Sequence, residues 1–120
     1  EFFEERLKNL QNAGIASQRL ILDPGMGFFL GSNPETSIHV IKNIPYLQEY
    51  FHLPVLVGVS RKSFLSVIVG GRAALERGAA TLGAEIYLSA MGVDYIRTHD
   101  GRALGDTLKV LKTLNGETFK

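Results

Sequence analysis

The chain has 120 residues, the length of one domain, and its 45% hydrophobic content is typical of a folded chain. Thirteen basic and 12 acidic residues leave a net charge of +1, so overall charge predicts neither a nucleic-acid nor a membrane partner. The absence of cysteine excludes disulfides and thiolate sites and fits a reducing compartment, so we expect a cytoplasmic location. Apolar runs are far shorter than the roughly 20 residues of a membrane helix. Any cationic site must be local.

The first half of the chain predicts a helix, a strand and a second helix. The charged N-terminal segment has the apolar spacing of an amphipathic helix, not of a signal peptide, and Gly14 ends it. The short apolar run RLILD predicts a buried strand, and a glycine-rich loop follows it. Asn33 then provides a helix cap before a proline and an acidic first turn. Pro45 should kink this helix or restart it.

The second half repeats the alternation. PVLVGV is rich in β-branched residues and lacks polar alternation, which is typical of a strand covered on both faces in a parallel sheet. A short apolar helix and a longer one follow, and Gly92 ends the longer one. VDYIR is the next strand, and a last amphipathic helix closes the chain. The apolar stripe predicted for the longer helix consists of Leu75, Ala79, Leu82 and Ile86.

This order, αβαβααβα, predicts a parallel sheet with right-handed crossovers. Asp23, Ser60 and Arg97 stand at the three strand ends, 37 residues apart in each step, which is the spacing of serial βα units. Three parallel strands alone would leave two unpaired edges. We therefore predict an α/β fold in which residues 1–120 are a single partial domain, about the last three units of a (β/α)₈ barrel of roughly 250 residues.

Ligands of such folds bind at the carboxyl ends of the strands. Those ends carry Asp23, the pair Arg61-Lys62, and Arg97 with His99. One carboxylate, three cations and an imidazole on one rim suit a phosphate group beside a neutral ring with N–H donors, and the helix after Asp100 adds a dipole end that favours anions.

Each of these residues also has a purely structural interpretation. Asp23 before Pro24-Gly25 is a common turn former, and Arg61-Lys62 could be a solvated pair. His99 and Asp100 could serve a helix cap, and Phe28 with Phe29 would ordinarily be packing. Because all of these marginal signals fall on the same three strand ends, their coincidence favours a site.

Three segments, RLILDPGMGF, LPVLVGVSRKSF and IRTHD, resemble in order and separation the C-terminal half of the dihydropteroate synthases. The resemblance extends from about Arg19 to the last helix. It implies a (β/α)₈ barrel that takes part in folate biosynthesis. In that reaction p-aminobenzoate displaces pyrophosphate from 6-hydroxymethyl-7,8-dihydropterin pyrophosphate, with Mg²⁺ assisting. It also implies a homo-oligomer, and a Mg²⁺ ligand in the N-terminal part that this chain lacks.

The resemblance assigns roles by position. Asp23 accepts hydrogen bonds from the amino-pyrimidinone edge of the pterin, Lys62 faces the pterin ring, and Gly58 lets the ring approach the backbone. Arg97 and His99 hold the pyrophosphate and stabilise its developing charge. The p-aminobenzoate pocket, which sulfonamide drugs also occupy, is lined by Phe28 and Ser63 and bordered by Arg61.

The chain departs from the family pattern in two respects. Phe29-Leu30 stands where a small residue and a lysine are common, and the first five strands are missing. We therefore expect weak ligand binding and no useful turnover from these residues alone. Two alternatives remain: a pterin-binding methyltransferase module, which does not need the SRKS and RTHD pair, and a non-catalytic fragment that self-associates through its free sheet edges.

Overall fold

A computed structural model describes residues 2–26 and 33–116. Short 3₁₀ turns lie at Ser17–Arg19 and Ala74–Glu76. Within the described residues, no helix is long and apolar enough to cross a membrane. The helices and strands, in chain order, are α1 (Phe2–Asn12), α2 (Pro34–Lys42), α3 (Ile44–Phe51), β1 (Leu56–Val57), α4 (Ser63–Ile68), α5 (Gly78–Met91), β2 (Tyr95–Ile96) and α6 (Gly101–Leu114).

Three chain segments lie side by side in parallel, as predicted. Leu56 and Val57 of β1 pair with Tyr95 and Ile96 of β2. On the other side of β1, a parallel bridge joins Leu22 to the residue before the strand. The predicted strands RLILD, PVLVGV and VDYIR are all much shorter than expected. Among the described residues, the outer two segments pair only with the central one, in ladders of one and two residues.

The core lies on one face of β1. Val55, Val57 and Val59 are completely buried, and they alternate with residues that point to the opposite face. Helices α2 to α5 supply the apolar side chains that cover this face, which are chiefly Ile41, Ile44, Phe64, Leu65 and Leu88. The hydrophobic face therefore anchors the helices on one side of the strands and leaves the strand ends free for polar residues.

Several predicted helix boundaries are confirmed. The Asn33 side chain caps α2 by accepting a hydrogen bond from the Glu35 N–H at 2.9 Å. Pro45 lies in the first turn of a new helix, α3, so the chain restarts there. Gly92 closes α5 in the left-handed region, with φ of 92°.

The apolar stripe predicted for the longer helix is wrong. Leu75 lies before α5, in a 3₁₀ turn, and is 83% exposed. The residues that α5 buries are Thr81, Glu85 and Leu88. Because α5 carries apolar residues around most of its circumference, periodicity does not identify its buried face. Packing against β2 and α6 selects a face that includes two polar residues.

The amino ends of the strands are held together by Asp94, which directly precedes β2. Its Oδ2 atom accepts the Val55 N–H at 2.8 Å and the Gln48 Nε2 at 2.9 Å. Gln48 belongs to α3, so one carboxylate joins a strand, a turn and a helix. This end of the sheet therefore carries structural contacts, and the candidate binding groups lie at the opposite end.

The corrected face of α5 can be tested by two identical truncations. Leu88→Ala should lower the free energy of unfolding by about 2–5 kcal/mol, because it opens a cavity among fully buried side chains. Leu75→Ala should change it by less than about 0.5 kcal/mol, because that side chain is largely in solvent. Urea unfolding measures both values. Equal losses would contradict the observed burial.

Candidate functional site at the carboxyl ends of the strands

Arg97 directly follows β2, and its backbone N–H donates to the Val57 carbonyl at 3.0 Å. Its guanidinium lies over Gly58, where a Cβ atom would stand only 3.2 Å from the Arg97 Nη2. The same group reaches Asp23 from the first segment, with Nη1 3.4 Å from the Asp23 Oδ2. The absence of a side chain at Gly58 thus leaves room for the guanidinium, a role beside the predicted approach of a ring.

The Asp23–Arg97 pair is long and open to solvent. The two side chains are 38% and 63% exposed, respectively. Such surface pairs contribute only about 0–1 kcal/mol, so a ligand can replace the contact at little cost. Asp23 also accepts the Gly25 N–H at 2.9 Å through Oδ1, the turn contact that its position before Pro24-Gly25 predicts. The carboxylate thus forms the turn and also faces the rim.

His99 is held by Ser60, the residue that follows the PVLVGV strand. The Ser60 Oγ lies 2.7 Å from the His99 Nδ1 and accepts the His99 backbone N–H at 3.3 Å. Ser60 is only 6% exposed whereas His99 is exposed, so this contact is partly buried. Because Ser60 engages Nδ1, Nε2 is the ring nitrogen available to a ligand. The imidazole position is therefore set by the neighbouring strand.

A cleft of about 320 Å³ opens between these groups, at the small end of the range for ligand pockets. Its charged lining residues are the cations Lys62 and Arg97, with the His99 imidazole beside them. Two cations on one concave surface suit an anionic ligand, because a cleft focuses the field of the charges that line it. The complete lining consists of Gly58, Ser60, Lys62, Arg97, Thr98 and His99.

The structure does not bring every predicted site residue into this cleft. Arg61 lines a neighbouring cleft of about 280 Å³, which it shares with Thr98 and Asp100. Ser63 is the exposed first residue of α4 and lies outside the lining of both clefts. Phe28 lies outside the described residues, as does the Phe29-Leu30 departure. The predicted residues that meet at one place are Asp23, Gly58, Lys62, Arg97 and His99.

Asp100 has the structural role that its position predicts. Its Oδ1 accepts the Ala103 N–H at 3.0 Å and caps α6. The start of α6 was expected to offer N–H groups to an external anion. That expectation is weakened, because the chain's own carboxylate already occupies this helix end.

Glu85 is a residue near the site that the sequence argument missed. It is fully buried in α5, and neither carboxylate oxygen has a hydrogen-bond partner among the described residues. Burial raises the pKa of Glu85, the Thr98 side chain and His99 oppose that rise, and Asp100 adds to it. A lone glutamate inside the apolar segment GAATLGAEIYLSAM was the signal that could have identified it.

A sequence model of the family described as "Pterin binding enzyme" matches residues 1–99. The chain therefore belongs to the pterin-binding enzyme family. It is 56% identical over 114 residues to the dihydropteroate synthase type-3 of Escherichia coli, covering 95% of this chain and 43% of that protein. The dihydropteroate synthase type-1 of Pseudomonas aeruginosa is 48% identical over 113 residues, covering 94% and 40%. The chain thus spans less than half the length of these relatives.

Solved structures of dihydropteroate synthases also superpose on this chain. The dihydropteroate synthase of Xanthomonas albilineans in complex with 7,8-dihydropteroate superposes with a TM-score of 0.85 at 31% identity, covering 98% of this chain and 44% of that one. The same enzyme with 4-aminobenzoic acid gives 0.84 at 32% identity, covering 95% and 42%. These neighbours are (β/α)₈ barrels, so the prediction of a partial barrel is confirmed.

The unpaired Glu85 carboxylate predicts a pH-dependent stability. Because its pKa in the folded state is raised above the ordinary 4.5, its contribution is complete below that value. The contribution is then lost as pH rises through the folded-state pKa. The free energy of unfolding should fall over this window in the native chain, and Glu85→Gln should remove that fall. Urea unfolding between pH 4 and pH 8 measures it, with the exposed Glu76→Gln as control. Identical pH profiles for all three proteins would contradict the assignment.

Proposed function

We propose that this chain is the C-terminal, ligand-binding portion of a dihydropteroate synthase. The parent enzyme would condense p-aminobenzoate with 6-hydroxymethyl-7,8-dihydropterin pyrophosphate and release pyrophosphate. The observation that carries the proposal is the rim cleft, where Lys62, Arg97 and His99 meet from two neighbouring strand ends. Membership of the pterin-binding family and relatives named dihydropteroate synthase support it. The rival methyltransferase reading gains no support from those names.

The charges of the rim match the two ends of the pterin substrate. Asp23 would accept N–H bonds from the amino-pyrimidinone edge of the ring, and Arg97 would grip the pyrophosphate oxygens bidentately. The 3.4 Å contact between these side chains supports this arrangement, because it places the ring-binding carboxylate beside the phosphate-binding cation. Substrate binding would replace the contact with one ligand bond for each partner.

The reaction exchanges a carbon–oxygen bond for a carbon–nitrogen bond. The amine nitrogen of p-aminobenzoate attacks the methylene carbon of the pterin, and the bond from that carbon to the pyrophosphate oxygen breaks with its electron pair passing to the oxygen. The attacking nitrogen then loses a proton to the departing pyrophosphate or to water. Negative charge grows on the departing oxygen, so Arg97 and His99 would stabilise the transition state more than the bound substrate. Lys62 would hold the ring over the cleft. In this scheme no side chain forms a covalent bond to the substrate.

The p-aminobenzoate subsite is proposed at Phe28, Ser63 and Arg61, where sulfonamides would compete. Ser63 is exposed at the start of α4, and Arg61 is half-buried one residue before Lys62. Both residues flank Lys62 in the chain, but Arg61 lines the neighbouring cleft and Ser63 lines neither cleft, so their assignment rests on the SRKS motif. The assignment of Phe28 rests on the motif alone.

Magnesium remains the proposed cofactor, with its protein ligand outside these 120 residues. Within the described residues, 2–26 and 33–116, no group of three or more His, Cys, Asp or Glu side chains could hold a metal ion. None of the steps above depends on the ion.

A homo-oligomer is also proposed. Helices α4 and α5 expose large apolar side chains, among them Val67, Ile68 and Tyr87, each more than half exposed. Ile68 and Tyr87 line an apolar cleft of about 420 Å³ between α2, α4 and α5. Exposed apolar surface of this kind and unpaired strand edges both favour association. They also support the non-catalytic alternative, in which the chain self-associates without binding pterins.

The pterin proposal is tested by calorimetric titration of the chain with a pterin pyrophosphate analogue and Mg²⁺. We expect saturable binding, which Lys62→Ala should weaken about tenfold or more, the equivalent of one charge-assisted hydrogen bond. Lys8→Ala is the matched control, because it removes an exposed lysine of α1 outside the site. Binding that both variants leave unchanged would make Lys62 a solubilising charge. A folded chain that gives no binding heat would contradict the proposal for this chain.

The oligomer proposal is tested by size-exclusion chromatography with light scattering. We expect a mass above the 13.2 kDa of one chain. Ile68→Lys and Val67→Lys should shift the mass toward that value by charging the exposed surface of α4. Lys substitution of the exposed Leu114 at the end of α6 is the control. A monodisperse monomer for the unaltered chain would overturn the proposal.

A further inference from the structure

Arg61 adopts a backbone conformation that few side chains accept. Its φ is +59°, in the left-handed region, and among the described non-glycine residues only His52 shares a positive φ. His52 terminates α3, where a left-handed residue is common. Arg61 instead lies in the loop that presents Lys62, and a left-handed residue with a Cβ costs about 1–2 kcal/mol. Something must hold the loop in this conformation.

Side chains from the start of α5 bind both backbone groups of Arg61. Its N–H donates to the Thr81 Oγ1 at 3.0 Å, and its carbonyl accepts from the Arg77 Nη1 at 2.7 Å. These two bonds restrain the peptide groups on either side of the residue, so they oppose rotation about both φ and ψ. Net hydrogen-bond contributions of about 0.5–1.5 kcal/mol each are enough to offset the conformational cost.

Arg77 and Thr81 are themselves well fixed. Thr81 is 6% exposed, and its N–H donates to the Arg77 carbonyl at 2.8 Å, so the two residues stand one helical turn apart on one face. The Arg77 Nε donates to the Arg72 carbonyl at 2.8 Å, which leaves Nη1 directed at Arg61. Both supporting residues are therefore held by hydrogen bonds of their own, as preorganisation of a binding site requires.

We propose that Arg77 and Thr81 are positioning residues, which hold Arg61 in its left-handed conformation and thereby set the direction in which Lys62 is presented to the cleft. Lys62 is the extended residue directly before α4 and directly after Arg61, so a change at Arg61 would redirect it. The effect on ligand affinity rests on the proposed function, because it requires Lys62 to contact the pterin ligand. The effect on the loop itself does not.

Amide hydrogen exchange followed by nuclear magnetic resonance tests the restraint directly. Thr81→Val keeps the shape of the side chain but cannot accept the Arg61 N–H, so exchange of that amide should accelerate about tenfold, the loss of one hydrogen bond. Thr81→Ser should keep the amide protected. The Leu56 and Tyr95 amides, bonded within the sheet, report whether the fold persists. An Arg61 amide that stays protected in Thr81→Val would overturn the proposal.

Titration with the pterin pyrophosphate analogue tests the consequence. Thr81→Val and Arg77→Ala should each weaken binding about tenfold, whereas Thr81→Ser and Arg77→Lys should recover most of the affinity because they can still accept or donate. A Thr81→Val variant with a freely exchanging Arg61 amide and undiminished affinity would overturn the proposal. Absence of binding by the unaltered chain would instead refute the proposed function, and exchange would still decide the restraint.

A double-mutant comparison isolates the backbone. Glycine accepts a positive φ without steric cost, so Arg61→Gly removes the conformational strain that the two hydrogen bonds offset. The loss of affinity for the pterin pyrophosphate analogue that Thr81→Val causes should therefore be smaller in the Arg61→Gly background than in the native background. An equal loss in the two backgrounds would show that Thr81 acts by a route other than the conformation of Arg61, contrary to the proposal.

Discussion

The parallel pairing of three short segments is the constraint on which the candidate site depends. Backbone hydrogen bonds on both sides of the central segment align Leu22, β1 and β2. Parallel pairing brings the carboxyl ends of all three segments to one edge. Residues far apart in the chain therefore become neighbours because of the backbone pairing, and their side chains need not attract each other. Asp23 and Arg97 are distant in sequence, yet the Asp23 Oδ2 lies only 3.4 Å from the Arg97 Nη1.

The rim concentrates charge in a chain that is almost neutral. Because the net charge is only +1, long-range attraction contributes little, and the local pair Lys62 and Arg97 would provide the proposed anion affinity. The weak and exposed ion pair with Asp23 suits this task. It keeps the Arg97 side chain near its place in the absence of ligand but does not bind it so tightly that a phosphate could not compete.

Helix α5 packs beside both loops that carry site residues, the SRKS loop and the RTHD loop. Arg77, Thr81 and Glu85 recur at four-residue intervals, so they form one polar stripe on a largely apolar helix. The first two bind the backbone of the SRKS loop, and the third is buried behind Thr98 and His99. A helix that buries polar groups loses some hydrophobic stabilisation. Its polar side chains instead restrain the backbone of Arg61, which lies outside the strands. Proteins commonly accept such a loss of stability near a functional site.

Much of the architecture and the position of the site could be predicted from local chemistry. The alternation of helices and strands, the restart at Pro45, the end of α5 at Gly92 and the meeting of Asp23, Lys62, Arg97 and His99 all follow from residue types and their spacing. Glycine, proline and cap residues determine structure within a few residues of their own positions. Parallel topology then brings the strand ends, and with them the site residues, to one edge of the sheet. The strand lengths were overestimated, because pairing partners and not propensity set where a ladder ends.

By itself, then, the sequence determined the order of elements, the rim and the family motifs. Only the tertiary structure decided which face α5 buries, that Ser60 holds His99, that Gly58 makes room for Arg97, and that Arg61 is left-handed and bound by Arg77 and Thr81. The physical reason is the same in each case. These features depend on contacts between groups that are distant in the chain, 16 residues apart for Arg61 and Arg77 and 39 for Ser60 and His99, and no local propensity or period encodes which distant group will supply the partner.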